Sequence, residues 1–146
     1  MANDPDINVF RPDRPGIRKV LGDLEADIME LVWARPPGRG TTVRDVFEVL
    51  YDRRRIAYTT VMNTMTRLAR KNVLRVEKSD QAYVYYPSLT QEEFVSLFVG
   101  HILENLLVSF SGATIESLRA LKDPEAAARA QQLLEEIARR RGEGAD

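Results

Sequence analysis

Residues 58–72 read YTTVMNTMTRLARKN. At helical spacing Val61, Met65 and Leu68 recur at steps of four and three, which makes one narrow apolar stripe. The opposite stripe is Thr60, Asn63, Arg67 and Arg70, at steps of three, four and three. It holds short hydrogen-bonding side chains and two guanidinium groups, and no carboxylate. A solvated helix face normally mixes both signs of charge. Asn and Arg are the side chains that pair bidentately with adenine and guanine edges in a DNA major groove. The stretch predicts a helix with one buried and one basic face, and the basic face is either plain surface or a reader of nucleic acid. The neighbouring segments decide between the two.

Upstream, LGDLEADIMELVWARPPG (21–38) carries a helical stripe of Leu24, Ile28, Leu31 and Val32, with Asp23, Glu25 and Asp27 in the N-terminal turn and Pro36-Pro37-Gly38 as the stop. A second helix is predicted in TTVRDVFEVLYDRR (41–54). Thr42 and Asp45 stand at capping-box spacing, and Val43, Val46, Phe47, Leu50 and Tyr51 form the expected buried face. Arg53, Arg54 and Arg55 crowd its end, more positive charge than capping a helix dipole needs. Downstream, Asn72 is a stop signal. LRVEKSDQAYVYYP (74–87) then alternates, with Leu74 and Val76 against Arg75 and Glu77, and Val84 and Tyr86 against Tyr83 and Tyr85. Ser79-Asp80-Gln81 between them completes a predicted β-hairpin.

The chain has 146 residues and a net charge of −1, and that charge conceals its distribution. Residues 1–88 hold 15 Lys and Arg against 12 Asp and Glu, and residues 89–146 hold 6 against 10. Residues 53–78 alone hold 8 against 1. A basic patch is a property of the local field, which whole-chain charge can hide. The chain has no cysteine and one histidine, and neither a GxGxxG nor a GxxxxGK[ST] loop. Thiolate metal sites and cysteine nucleophiles are thereby removed, no catalytic constellation remains, and no cofactor or metal is implied. The lack of cysteine fits a reducing cytoplasm, and no signal peptide is visible at the N-terminus. Residues 1–20, with three prolines, read as a flexible arm, and residues 142–146 as a disordered tail.

Beyond the joint at Pro87-Ser88-Leu89, Thr90 and Glu93 open another helix, TQEEFVSLFVGHILENLLVSF (90–110). Phe94, Leu97, Phe98, Ile102, Leu103, Leu106, Leu107 and Phe110 cover most of its surface. Ser96, Gly100, His101, Glu104 and Asn105 interrupt it, so the expectation is no membrane span. A helix apolar on most faces must be buried on most faces, which calls for a second copy of the chain. His101, Glu104 and Asn105 fall within or near that seam. Ser111-Gly112 breaks the helix before ATIESLRALK (113–122). The last helix, DPEAAARAQQLLEEIARRR (123–141), has Asp123 as N-cap and Ala126, Ala130, Leu133 and Ile137 as its stripe.

Three helices followed by a hairpin is the order of a winged helix-turn-helix, in which the third helix lies in the major groove. The expected fold is therefore mainly α with a small β-hairpin: a winged-helix DNA-binding domain over residues 21–88 and a helical dimerisation domain over 89–141. The alternative is a winged-helix protein-interaction module without specific DNA binding, since fold does not fix function.

LGDLEADIMELVW, TTVRDVFEVL, AYTTVMNTMTRLARKNVL and AYVYYPSLTQEEF resemble the penicillinase-repressor (BlaI/MecI/CopY) family of bacterial transcriptional regulators, from about Leu21 to Phe94. The resemblance implies a homodimeric repressor that binds half of a palindromic operator per protomer, with its recognition helix over Tyr58–Lys71. On this reading Thr60, Asn63 and Arg67 meet base edges, and Thr59, Arg70, Arg53, Arg54 and Lys78 meet phosphates of double-stranded operator DNA. Phe94, Leu97, Phe98, Ile102, Leu103, Leu106, Leu107, Phe110, Leu133 and Ile137 form the dimer interface. Lys78 is the one basic residue at the wing tip, so the wing adds little. Copper-responsive relatives carry C-terminal cysteines, which this chain lacks. Relatives released by a sensor protease are cut at an Asn-Phe bond, and no Asn-Phe pair occurs here. The releasing signal stays open between a sensor protease and a small-molecule inducer.

Overall fold

The structure, a computed structural model, describes residues 5–6 and 9–144, without the side chains of 133, 134, 137, 138 and 140–144. A 3₁₀ turn (Gly16–Lys19) precedes α1 (Asp23–Trp33), α2 (Val43–Arg54), α3 (Tyr58–Arg70), β1 (Leu74–Ser79), β2 (Ala82–Pro87), α4 (Gln91–Arg119) and α5 (Pro124–Gly144). The chain divides into two compact units, one ending at Phe98 and the other beginning at Val99.

Local chemistry sets each element of the first unit. The Glu25 carboxylate accepts from the Gly22 N–H at 3.0 Å where α1 begins. The Thr42 hydroxyl accepts from the Asp45 N–H at 3.1 Å and the Asp45 carboxylate from the Thr42 N–H at 3.0 Å, which closes the capping box of α2. Helix α2 stops because Arg55 turns left-handed at φ 53°. Helix α3 stops at Asn72, also left-handed at φ 63°, and the Val73 N–H returns to the Leu68 carbonyl at 2.9 Å.

The core of this unit gathers Ala26, Ile28, Met29 and Val32 of α1, Val46 and Leu50 of α2, and Val61, Met65 and Leu68 of α3. Leu74 and Tyr85 close it from the hairpin. A two-residue turn at Asp80-Gln81 joins the strands, with Asp80 at φ 53°. Thr41 bridges to Tyr85 through two backbone hydrogen bonds, 2.9 and 2.8 Å, so a third short extended segment backs the hairpin. Gly40 precedes it where a Cβ would lie 2.0 Å from Val84 Cγ1, closer than any side chain allows.

Four expectations change on this frame. Residues 9–20 are not a loose arm. Ile17 and Val20 are buried, Arg11 N–H reaches the Lys19 carbonyl at 2.6 Å, and Asp6 N–H reaches the Lys71 carbonyl at 2.9 Å. The hairpin register pairs Val76 with Tyr85 and Lys78 with Tyr83, so one face carries Leu74, Val76, Tyr83 and Tyr85. Tyr85 is therefore the buried tyrosine, while Val84 and Tyr86 are half-buried on the other face. Tyr51 is exposed rather than part of the buried face of α2. Finally, α4 is long and apolar enough to cross a bilayer by length and composition alone, because its interruptions are mostly uncharged. Its early residues nevertheless pack into protein. Phe94 lies 5.5 Å from the Trp33 ring and 5.7 Å from that of Phe98, and the Trp33 indole N–H donates to the Leu89 carbonyl at 2.9 Å. The opening turns of α4 thus belong to the first unit, past the joint read at residue 88.

In the second unit the helical backbone breaks at Phe110 (φ −141°, ψ 53°), one residue before the Ser111-Gly112 pair. The Thr114 hydroxyl donates to the Phe110 carbonyl at 2.7 Å and satisfies one acceptor near the break. The Asp123 carboxylate accepts from the Glu125 and Ala126 N–H groups at 2.9 and 3.1 Å and caps α5.

Candidate nucleic-acid interface

Helix α3 buries Val61, Thr64, Met65 and Leu68. With about 100° per residue, the line opposite this buried stripe runs through Thr59, Asn63, Thr66 and Arg70. All four are exposed. Thr60 and Arg67 are exposed too, on the flank of the helix toward α1. There Arg67 Nε lies 3.9 Å from a Glu25 carboxylate oxygen, and Lys71 Nζ lies 3.2 Å from the same oxygen. Arg67 is thus a flank residue with an internal partner, while Arg70 points outward. No carboxylate occurs between Arg55 and Val76, so the outward face of α3 has no acidic residue of its own.

The other flank of α3 faces the wing. A groove of about 640 Å³ runs between them, lined by Tyr58, Met62, Thr66 and Ala69 of α3 and by Val76, Ala82 and Tyr83 of the hairpin. Arg44, at the start of α2, also lines it. Lys78 shares a strand face with Val76 and pairs across the hairpin with Tyr83, so it is on the groove side of the wing. Arg44 and Thr66 line this groove and are absent from the sequence-based candidates. Arg44 looks locally committed, because Glu48 stands four residues on and pairs with it at 3.4 Å. That pair is exposed, and exposed pairs are weak. The signal for Thr66 was its place opposite Val61 and Met65 once Thr64 is counted as buried.

The arginines that end α2 take three different positions. Arg54 is ion-paired with Asp27 of α1. Arg53 borders a cleft with Asp45, Glu48 and Asp52 on the outer face of α2. Arg55 lies over the Tyr51 ring, 4.7 Å from its centroid, and Phe47 packs 5.4 Å from both Tyr51 and Tyr58. The N-terminal segment spends its cations the same way. Arg14 and Arg18 bind Asp23, and Arg18 also holds Asp27 at 2.6 Å. The Asp27 carboxylate holds the Arg18 guanidinium above its usual range. Asp23 is held below the usual carboxylate range, first by the hydrogen bond from Arg14.

The residues expected at a dimer seam also separate. Phe94 and Phe98 are buried inside the first unit, and Leu97 is half-buried. Ile102 and Leu103 are half-buried, while Leu106, Leu107 and Phe110 are exposed. Val108, absent from the sequence reading, is 81% exposed. The side chains of Leu133 and Ile137 lie outside the described residues. His101 is half-buried, and among the described residues no group of three or more His, Cys, Asp or Glu side chains converges on a metal site.

This arrangement offers an exposed basic helix face, a groove and a hairpin, with polar hydrogen-bonding groups and, among the described residues, no nucleophile–base pair. Comparison with known proteins agrees with that chemistry. Two curated relatives, each a "Transcriptional regulator BlaI", come from Mycobacterium tuberculosis strains CDC 1551 / Oshkosh and ATCC 25618 / H37Rv. Each is 43% identical over 76 residues, which cover 52% of this chain and 54% of the relative. The chain spans about half the length of the curated relatives it matches. The penicillinase repressor family matches residues 21–139, well over half of the chain. This chain therefore belongs to the penicillinase repressor family of transcriptional regulators.

Proposed function

We propose that the chain represses transcription as a cytoplasmic homodimer that places α3 of each protomer in the major groove of a palindromic operator. The observation that carries this is the outward face of α3, where Thr59, Asn63, Thr66 and Arg70 stand exposed with no carboxylate among them. Asn63 and Arg70 are the base-reading candidates on the crest, with Thr60 and Arg67 on its flank. Thr59 at the start of that crest, with Arg44 and Lys78 on its wing side, are the phosphate-contact candidates. The second copy is supported by Leu106, Leu107, Val108 and Phe110, whose exposure in one chain leaves apolar surface to be covered. Two modules on one frame read twice the site, so association serves recognition.

The test is capture of sheared source-genome DNA in the presence of excess nonspecific competitor, with Arg70→Ala and Arg67→Ala in parallel. Enrichment of fragments sharing a two-fold-symmetric motif, lost in Arg70→Ala, supports the reading. A dimer that neutralises about six to ten phosphates loses about 10³–10⁵ in affinity between 50 and 200 mM salt. A flat salt response with no enrichment would leave a protein-interaction module as the better description.

A further inference from the structure

Glu25 is an unusual residue for its place. It lies in the first turn of α1, where an acid suits the helix dipole and solvent, yet its side chain is only 11% exposed. A buried carboxylate needs partners. Glu25 has the Gly22 N–H at 3.0 Å, the Lys71 ammonium at 3.2 Å and the Arg67 guanidinium at 3.9 Å. Two of these three are cations at the C-terminal end of the recognition helix. Lys71 and Glu25 are separated by 46 positions in the chain, so the contact is a product of the fold. The Arg67 side chain remains half exposed; its Nη2 also donates to the Thr64 hydroxyl at 3.5 Å, and the long contact with Glu25 leaves other guanidinium donors free.

Resting on the DNA-docking reading above, we infer that Glu25 is a specificity-determining positioning residue: it draws Arg67 to the flank of α3 and withholds it from random phosphates. The physical logic is competition for one cation. A phosphate approaching α3 and the Glu25 carboxylate both attract Arg67. Nonspecific binding rests almost wholly on phosphates, and those contacts are the ones a nearby fixed anion weakens. A correctly placed base edge offers directed acceptors that hold the guanidinium in a defined fork. Glu25 therefore taxes backbone attraction more than base recognition and widens the gap between operator and bulk DNA.

The experiment measures binding to random-sequence duplex DNA and to captured genomic fragments, from 50 to 200 mM salt, for the full chain, Glu25→Gln, Arg67→Ala and the double variant. Gln keeps the acceptor for Gly22 and removes the charge. The expected result is that Glu25→Gln binds random duplex several-fold more tightly at 50 mM salt. Its log–log salt slope steepens by about 1 per protomer, the contribution of one more neutralised phosphate. Its preference for captured fragments falls by a similar factor, and the gain shrinks in the Arg67→Ala background, where only Lys71 is left to be released. Equal random-duplex binding by Glu25→Gln and the unsubstituted chain would overturn the inference. So would a gain that persists in full without Arg67, which would reduce Glu25 to a general field effect. If Glu25→Gln does not fold, Glu25→Asp withdraws the carboxylate by about one methylene and reads the same contact, and no gain there overturns it equally. If the unsubstituted chain binds neither DNA, the docking reading itself fails, and the inference with it.

Discussion

Phe94 and Phe110 lie on the same helix, four turns and a half apart, and meet opposite surroundings. Phe94 is 1% exposed, between Trp33 and Phe98. Phe110 is 64% exposed at a backbone break. The first unit closes its core within one chain, while the second presents its apolar residues to whatever comes next. The difference separates stability from assembly. A substitution in the first unit acts on folding of the protomer, and one in the second acts on association, so the two respond differently to protein concentration.

Phe94→Ala is the sharpest test of the first half of that contrast. It removes the ring that ties α4 to α1, and a loss of about 3–5 kcal/mol is expected. Urea denaturation of the dilute protein measures it. A loss below about 1 kcal/mol would mean that the opening of α4 is not part of the first unit's core. Phe110→Glu tests the other half. It puts a charge on the exposed apolar surface and is expected to weaken self-association by on the order of 2 kcal/mol or more, a drop in mass readable by sedimentation. An unchanged mass with an unchanged dissociation constant would move the seam elsewhere.

Smaller effects refine the picture within the first unit. Thr42→Ala removes the N-cap hydroxyl of α2 and is expected to cost about 1 kcal/mol by thermal or urea melting. The Thr42 backbone N–H, ahead of its hydroxyl and of Arg35 and Arg39, holds the Asp45 carboxyl below the ordinary carboxylate value of 3.8. A carboxyl depressed by folding stabilises above its unfolded value and loses that contribution as pH falls through the folded one. The difference between the unsubstituted chain and Asp45→Asn should therefore be fully present at pH 6 and shrink as the pH falls below the ordinary carboxylate range. Thr41→Val should change stability least. The Thr41 hydroxyl is buried with no hydrogen-bond partner, and a methyl of the same shape needs none, so a change within about 1 kcal/mol, on the stabilising side, is expected by the same melts.

How much of this was legible in the sequence depended on distance along the chain. The capping pair Thr42 and Asp45, the stop at Asn72 and the apolar stripe of α3 are local, and they appear as read. The break near Ser111-Gly112 was likewise visible. The order of three helices and a hairpin pointed to the winged helix. What the sequence concealed was nonlocal pairing. Arg54 looked available for phosphate because its nearest carboxylate, Asp52, is two residues back and on another side of the helix, yet Asp27 holds it across 27 positions. The N-terminal segment looked loose because its arginines and prolines have no period, yet Asp23 and Asp27 tie Arg14 and Arg18 down. The hairpin faces were misread for another reason. Alternation tells which residues share a strand face, but the turn decides which faces of two strands coincide, and one residue of register reverses the answer. In α3 itself, Thr64 reads as polar but is buried, with its hydroxyl donating to the Thr60 carbonyl at 2.8 Å. Counting it as core rotates the crest from Arg67 toward Arg70.

Arg55 carries a last implication, about what this corner of the molecule is optimised for. It ends α2 in the left-handed region, a conformation that costs a side-chain-bearing residue about 1–2 kcal/mol and glycine almost nothing. A glycine here would make the turn between α2 and α3 easier to adopt and would relieve backbone strain. It would also remove the guanidinium that lies over Tyr51 beside the entry to α3. The chain keeps the strained residue, so the corner trades thermal robustness for a charged, aromatic-backed shoulder next to α3. Engineering this protein for heat resistance would begin at Arg55 and would cost the cation that lies over Tyr51.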